Sequence, residues 1–372
     1  MKSITHLTSV HPRHDTRIFF KECHSLTKKY SVNLVVADSK GDAELDGIKI
    51  YDVGKETSRV KRVLNVTKRV LQKAILLDSD LYHLHDPELI PIGTKLKKLG
   101  KRVIFDMHEN IPLQIKDKSY IPKYFRTTLS YLYSQYEKMV LKKFDAIVVA
   151  EESYLQYYEY LKNDVVTILN MPNLDELKKF QTTTREKNDL FYIGGISNER
   201  GLDITIESIK EVKKSVPDIY MHYIGNTYNN ILETINLEGI EKNINFYGPK
   251  PLYEGMELSK KAKIGLSILK PIENYKRSYS TKIFEYMAIG LPVITSNFQL
   301  YKDVVEKYQC GICVDPLDPK ELADAIKYLL EHPLVVEEMG KNGINAVEKK
   351  YNWFYEEGKL FKVYDKLIER EA

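Results

Sequence analysis

Cysteine is scarce, with three residues in a chain of 372. Cys310 and Cys313 form a C-x-x-C within Y-Q-C-G-I-C-V-D-P, and Cys23 stands alone. Neither a disulfide framework nor a four-cysteine zinc site can be assembled from these within one chain, and strand packing is the reading of the pair. Long apolar runs are also missing. No stretch approaches the ~18 residues of a membrane span. The opening M-K-S-I-T-H-L-T-S-V-H-P is too short and polar for a signal peptide, so a cytoplasmic protein is expected. Internal repeats and low-complexity tracts are absent. What is present is ample: hydrophobic residues make up 43% of a chain long enough for two domains, which excludes a disordered protein.

Acidic residues are short in the first half. Residues 1–180 hold 30 Lys and Arg against 23 Asp and Glu, a net +7, while the remainder nets −3. Between Arg59 and Lys73 six positive residues occur with no acidic one, and Val60, Val63, Leu64, Val70 and Leu71 stand between them at helical spacing. Such a helix either lies on an anionic bilayer surface or packs on a sheet with a solvated face. The segment from Lys116 to Phe144 is basic and rich in tyrosine, which suits a water–lipid interface or stacking on single-stranded nucleic acid.

Strands and helices alternate from the first residues. Strands are expected at Ile4–Val10, Ser31–Ala37, Leu81–Leu84, Val103–Phe105, Asp145–Ala150 and Val165–Leu169, with a helix from about Thr16 to Lys29. This is the pattern of an α/β fold with a parallel sheet, whose ligands collect at the carboxyl ends of the strands. Polar loops follow three of these strands: H-P-R-H-D-T-R, with Asp15 as helix cap or substrate contact and Arg13 and Arg17 as phosphate contacts; His85 and Asp86; and Asp106, His108, Glu109 and Asn110. The histidine–carboxylate clusters match no standard metal spacing, and no metal site is assigned.

Asn170-Met171-Pro172-Asn173 reads as a boundary, giving domains at 1–172 and 173–352 and a last helix at 353–372. After it, Leu190–Ile193 runs into G-G-I-S-N-E-R-G-L, where Gly194 and Gly195 let backbone N–H groups approach an anion and Arg200 adds a fixed positive charge. Further strands follow at Ile219–Gly225, Ile244–Gly248, Ile264–Leu269 and Leu291–Ile294, and Tyr247 and Gly248 are placed beside a nucleotide base. In S-Y-S-T-K-I-F-E-Y-M-A-I-G-L-P-V-I-T-S, Ser280 caps a helix beginning at Thr281, which Gly290 and Pro292 stop. Ile283, Phe284, Met287 and Ala288 face a core, and Lys282 and Glu285 share another face. The helix start with Lys282 suits a diphosphate, and Glu285 one turn on suits ribose hydroxyls. An inert amphipathic helix with a Lys–Glu pair is the alternative.

The phrase T-K-I-F-E-Y-M-A-I-G-L-P-V-I resembles the donor-binding helix of glycosyltransferase family 4, and the resemblance extends along nearly the whole chain. The opening H-P-R-H-D-T-R-I-F resembles that of a bacterial polysaccharide-building branch. It implies the GT-B fold, two Rossmann-like domains facing across a cleft, with the last helix crossing back to the first. It also implies a retaining, metal-independent transfer of a sugar from a UDP-sugar or GDP-sugar to a saccharide or polyprenyl-diphosphate-linked acceptor, with the protein peripheral on a membrane and no nucleic acid bound. By resemblance His108 lies near the transferred sugar, Arg200 and Lys282 hold the diphosphate with Gly194, Gly195, Ser280 and Thr281, Glu285 meets the ribose, and Asp15 positions substrate. Two departures stand out: Arg277 occupies the place of the first family glutamate, and Gly195 that of a common arginine. They keep two alternatives open, an inactive sugar-nucleotide-binding protein and a nucleotide-sugar epimerase of the same fold.

Overall fold

The computed structural model describes residues 1–108, 110–117, 121–161, 164–182, 185, 187–228 and 230–369. Glu109 therefore lies outside the described residues. The chain divides into two compact units, Met1–Asn170 with Phe354–Ala372, and Met171–Trp353.

In the first unit the strands are Ser3–Leu7 (β1), Ser31–Val36 (β2), Ala43–Leu45 (β3), Ile48–Asp52 (β4), Leu81–Leu84 (β5), Arg102–Met107 (β6), Ala146–Val149 (β7) and Asp164–Thr167 (β8). Their order is β3-β4-β2-β1-β5-β6-β7-β8, parallel except for the β3–β4 hairpin. That hairpin was not expected, although Asp46-Gly47, both at positive φ, is the dipeptide that a two-residue hairpin turn demands. Runs such as Ala146-Ile147-Val148-Val149 are buried throughout, as parallel strands covered on both faces must be. The order reverses between β1 and β5, which places the loops after Leu7 and Leu84 at the switch point where ligands of such sheets bind.

The second unit holds Asp189–Ile193 (β9), Tyr220–Ile224 (β10), Ile244–Phe246 (β11), Ala262–Ser267 (β12), Val293–Ser296 (β13) and Gly311–Val314 (β14), ordered β11-β10-β9-β12-β13-β14 and all parallel. Counted from β9 this is the Rossmann order 3-2-1-4-5-6, with its switch point between β9 and β12. The helix Thr281–Ala288 is seated here by Tyr286, a fully buried ring worth ~2 kcal/mol of apolar burial. Gly265 of β12 makes the seat: a Cβ there would stand 2.4 Å from the Tyr286 ring. The Tyr286 hydroxyl accepts from the backbone N–H of Ile193 at 3.2 Å, pinning the helix to the end of β9.

The two cysteines of the C-x-x-C flank and occupy β14 as free thiols, and burial pushes both up to about 12. No helix among the described residues is long and apolar enough to cross a membrane.

Candidate active site

The strongest constellation in the second unit sits at the β9–β12 switch point. Beyond Ile193 the chain leaves β9 through Gly194, at φ +134°, a conformation that side chains resist. A Cβ at Gly194 would lie 2.7 Å from Cε and 3.0 Å from Nζ of Lys282, so the glycine leaves the space the lysine fills. Lys282 is buried, not on an open face with Glu285 as its spacing suggested, and its Nζ lies 5.1 Å from the centre of the Tyr192 ring. Burial and the nearby Arg200 charge bring its ammonium down to about 8, with Glu285 opposing them. Arg200 ends the short helical turn Asn198–Arg200, before Gly201 opens the helix Leu202–Lys213, and its guanidinium is 6.0 Å from the Tyr275 ring centre. Two cations thus converge beside a glycine turn. Holding both without an anion between them is unfavourable, and an anionic ligand relieves that cost.

The helix begins at Thr281 as its sequence indicates, with Ser280 in the N-cap position. The expected side-chain cap is absent: Ser280 Oγ pairs instead with Ser267 Oγ at 2.8 Å, tying the helix start to the end of β12. The first-turn N–H groups are consequently not capped by Ser280. Glu285 is half-buried one turn on. Gly195 makes room for Tyr228, whose ring a Cβ would meet at 2.7 Å. Arg277 ends the short helix Glu273–Arg277 in an ion pair with Glu273 at 3.5 Å. Tyr247, expected beside a nucleotide base, has its hydroxyl on His222 Nδ1 at 2.9 Å, and His222 Nε2 pairs with Asp189 at the start of β9.

In the first unit the loops at the β1–β5 switch point are knit by carboxylates. Asp86 accepts from Thr8 Oγ1, the Ser9 N–H and Ser9 Oγ. Asp15 accepts from the backbone N–H groups of Arg17 and Ile18 and from His11 Nδ1 at 3.2 Å, so it caps a helical turn and pairs with a histidine at once. Burial alone would raise its carboxyl; His11 and those N–H groups hold it well below the usual range. The His11 ring lies 4.9 Å from that of His108. His108 Nε2 is 3.1 Å from Asp106 Oδ2 and 3.2 Å from His85 Nδ1. Asp15 and His108 therefore share one neighbourhood.

The two arginines proposed as phosphate contacts are internal instead. Arg13 forks onto Asp38 at 2.6 and 2.7 Å. Arg17 bonds Asp106 through Nε at 3.0 Å and Nη2 at 3.1 Å, reaches Ile168 O at 2.8 Å, and lies 3.0 Å from Glu22 Oε1. A buried guanidinium needs carboxylates around it, and these residues supply them. Burial and the Asp106 charge push the Glu22 carboxyl well above the ordinary range. Glu22 was missed by sequence reading, since nothing in K-E-C-H-S marks a fully buried acid.

Residues 174–346 match the family model described as glycosyl transferases group 1. Spore coat protein SA of Bacillus subtilis (strain 168) is 26% identical over 192 residues, 48% of this chain and 49% of that protein, so the chain spans about half the length of that relative. Among solved structures, sucrose-phosphate synthase from Thermosynechococcus elongatus matches with TM-score 0.79 at 15% identity over 100% of both chains. Anabaena HepE in complex with UDP-glucose matches with TM-score 0.72 at 12% identity, over 98% of this chain and 100% of that one. The fold is GT-B, with a parallel-sheet α/β unit in each half. The unit that carries Gly194, Arg200 and Lys282 is thus the part of the chain that is similar to the group 1 glycosyl transferases.

Proposed function

We propose that the chain is a retaining glycosyltransferase that moves a sugar from a nucleoside diphosphate donor to a saccharide or lipid-linked acceptor in bacterial surface polysaccharide synthesis. The observation that carries this reading is the buried Lys282 filling the space over Gly194 beside Arg200. A cation kept at about 8 by burial and a neighbouring arginine is placed for an anion. HepE, solved with UDP-glucose, favours UDP over GDP as the donor base.

In the reaction the acceptor oxygen bonds to the anomeric carbon on the face from which the diphosphate leaves. The carbon–oxygen bond to the diphosphate breaks, and the acceptor proton passes to a departing phosphate oxygen. Arg200, Lys282 and the N–H groups at Thr281 offset the charge that grows on the leaving group, and no metal is needed for that. Glu285 receives the ribose hydroxyls. His108, held by Asp106 and His85, and the Asp15–His11 pair position sugar and acceptor.

Membrane contact is part of the same reading. Val60, Leu64, Tyr124, Phe125, Tyr131 and Leu132 are exposed, and Lys61, Lys68 and Lys123 stand exposed among them. This mixture suits an anionic bilayer carrying a lipid-linked acceptor. Arg62 and Arg69 are spent on Glu88 and Glu56.

A thermal-shift panel of UDP, GDP, ADP and CMP with their sugar conjugates tests the donor site. One nucleoside diphosphate at a hundred times its Kd is expected to add about 2.7 kcal/mol of stability. A flat response to all of them contradicts the reading. A shift without sugar transfer to any acceptor identifies the inactive binding protein instead, and a free isomerised donor the epimerase.

A further inference from the structure

His6 on β1 and His83 on β5 are directly paired in register, and His85, two residues on, falls on the same face of the sheet. Glu22, from the helical turn Ile18–Cys23, faces them, and all four side chains are fully buried. Their nearest ligand atoms lie within 4.8 Å of one another. His6 Nδ1 is 2.8 Å from His85 Nε2, and Glu22 Oε2 is 3.9 Å from each.

A neutral imidazole has one N–H and one lone pair. Tautomers exist that connect part of this set: Tyr364 donates to His6 Nε2 at 3.1 Å, His6 Nδ1 to His85 Nε2, and His85 Nδ1 to Asp106 at 3.4 Å, while His83 Nδ1 donates to Tyr364 at 2.6 Å. Even so, His83 Nε2 and both Glu22 oxygens stay buried with no hydrogen-bond partner among the described residues, Oε1 having only the ion-pair distance to Arg17. His83 Nε2 and Glu22 Oε2 are thus buried without partners in the cluster that also holds the nitrogens of His6 and His85, and one cation would satisfy both.

We propose that His6 Nδ1, His83 Nε2, His85 Nε2 and Glu22 Oε2 bind one divalent ion of the zinc class. The outer nitrogens fit that role: His6 Nε2 and His83 Nδ1 rest on the Tyr364 hydroxyl and His85 Nδ1 on Asp106, the outer support that ligating histidines ordinarily have. Metal–ligand bonds of about 2.0–2.2 Å hold tetrahedral ligand atoms roughly 3.3 Å apart, so the wider pairs close and the His6–His85 pair opens by about half an ångström. Four protein ligands leave no open position, so the site is structural, tying β1, β5 and the turn Ile18–Cys23 together. It shares His85 with the support of His108, but its metal content is measured whether or not sugar is transferred.

The test is the metal content of the full chain, purified without chelators, followed by Co²⁺ titration of the apo protein read by optical absorption. The expected result is about one equivalent of zinc per chain and a strong tetrahedral cobalt band. His83→Gln and Glu22→Gln are expected to lower Co²⁺ affinity at least roughly tenfold, and Tyr364→Phe, which keeps the ring packing, by about 10–100-fold. Chelation of the wild-type protein should lower its Tm, and added zinc should restore it, which tests the site even where a variant fails to fold. Metal-free protein whose Tm ignores both zinc and chelator, or cobalt binding equal in all three variants, overturns the proposal.

Discussion

Lys282 gives the sharpest perturbation. Its ammonium is displaced from 10.5 to about 8, which corresponds to roughly 3 kcal/mol held against the protonated form in the folded, unliganded protein. Because the folded value is below the unfolded one, this penalty is present below about pH 8 and fades as pH rises from 8 towards 10.5. Lys282→Met, close in volume and uncharged, is therefore expected to raise unliganded stability at pH 7 by up to about 3 kcal/mol. A bound diphosphate favours the charged form and returns the group towards its ordinary range. UDP affinity should then be about tenfold weaker at pH 9 than at pH 7, with proton uptake on binding at the higher pH. In Lys282→Met, loss of a charged hydrogen bond should weaken UDP by roughly 1.5–3 kcal/mol and abolish the pH dependence. Urea unfolding reads the stability, and calorimetric titration of UDP in buffers of different ionisation enthalpy reads the affinities and the proton uptake. Affinity that stays constant from pH 7 to pH 9 without proton uptake, or a methionine variant with wild-type affinity, refutes the assignment of Lys282 to the diphosphate.

Glu285→Gln should weaken UDP about tenfold, as measured by the same titration, while leaving inorganic pyrophosphate unaffected, because only the nucleotide carries ribose. Gly194→Ala forces a Cβ to 2.7 Å from Lys282 Cε at φ +134°, and a cost of about 1–3 kcal/mol is expected in both folding stability, read by urea unfolding, and UDP affinity. Arg17→Met leaves Asp106 and Glu22 facing each other without their cation, and urea unfolding should show a loss of roughly 3–5 kcal/mol.

Periodicity and turn chemistry made the alternating α/β order legible, including Leu81–Leu84 as a strand and Trp353 to Glu369 as the last helix. The Asp46-Gly47 hairpin carried its own signal and went unread. Local rules mislead where a side chain finds a distant partner. Ser280 stands where a capping serine belongs, yet Ser267 takes its hydroxyl. Arg13 looks free in a polar loop until Asp38, twenty-five residues on, claims it. Lys282 sits three residues from Glu285, a spacing that suggests a surface pair, but the missing side chain at Gly194 creates the cavity that takes the lysine in. Burial of a charge by a glycine eighty-eight residues away has no local signature in a sequence.

The most direct measurement of the central claim is proton NMR of the protein as purified, with UDP-sugars, a lipid-linked or saccharide acceptor and no added metal ion. The account predicts that one α-linked donor is consumed to UDP, that the first-formed product keeps the α configuration, and that Lys282→Met abolishes the signal. No consumption of any donor, or a product of inverted configuration, would contradict it.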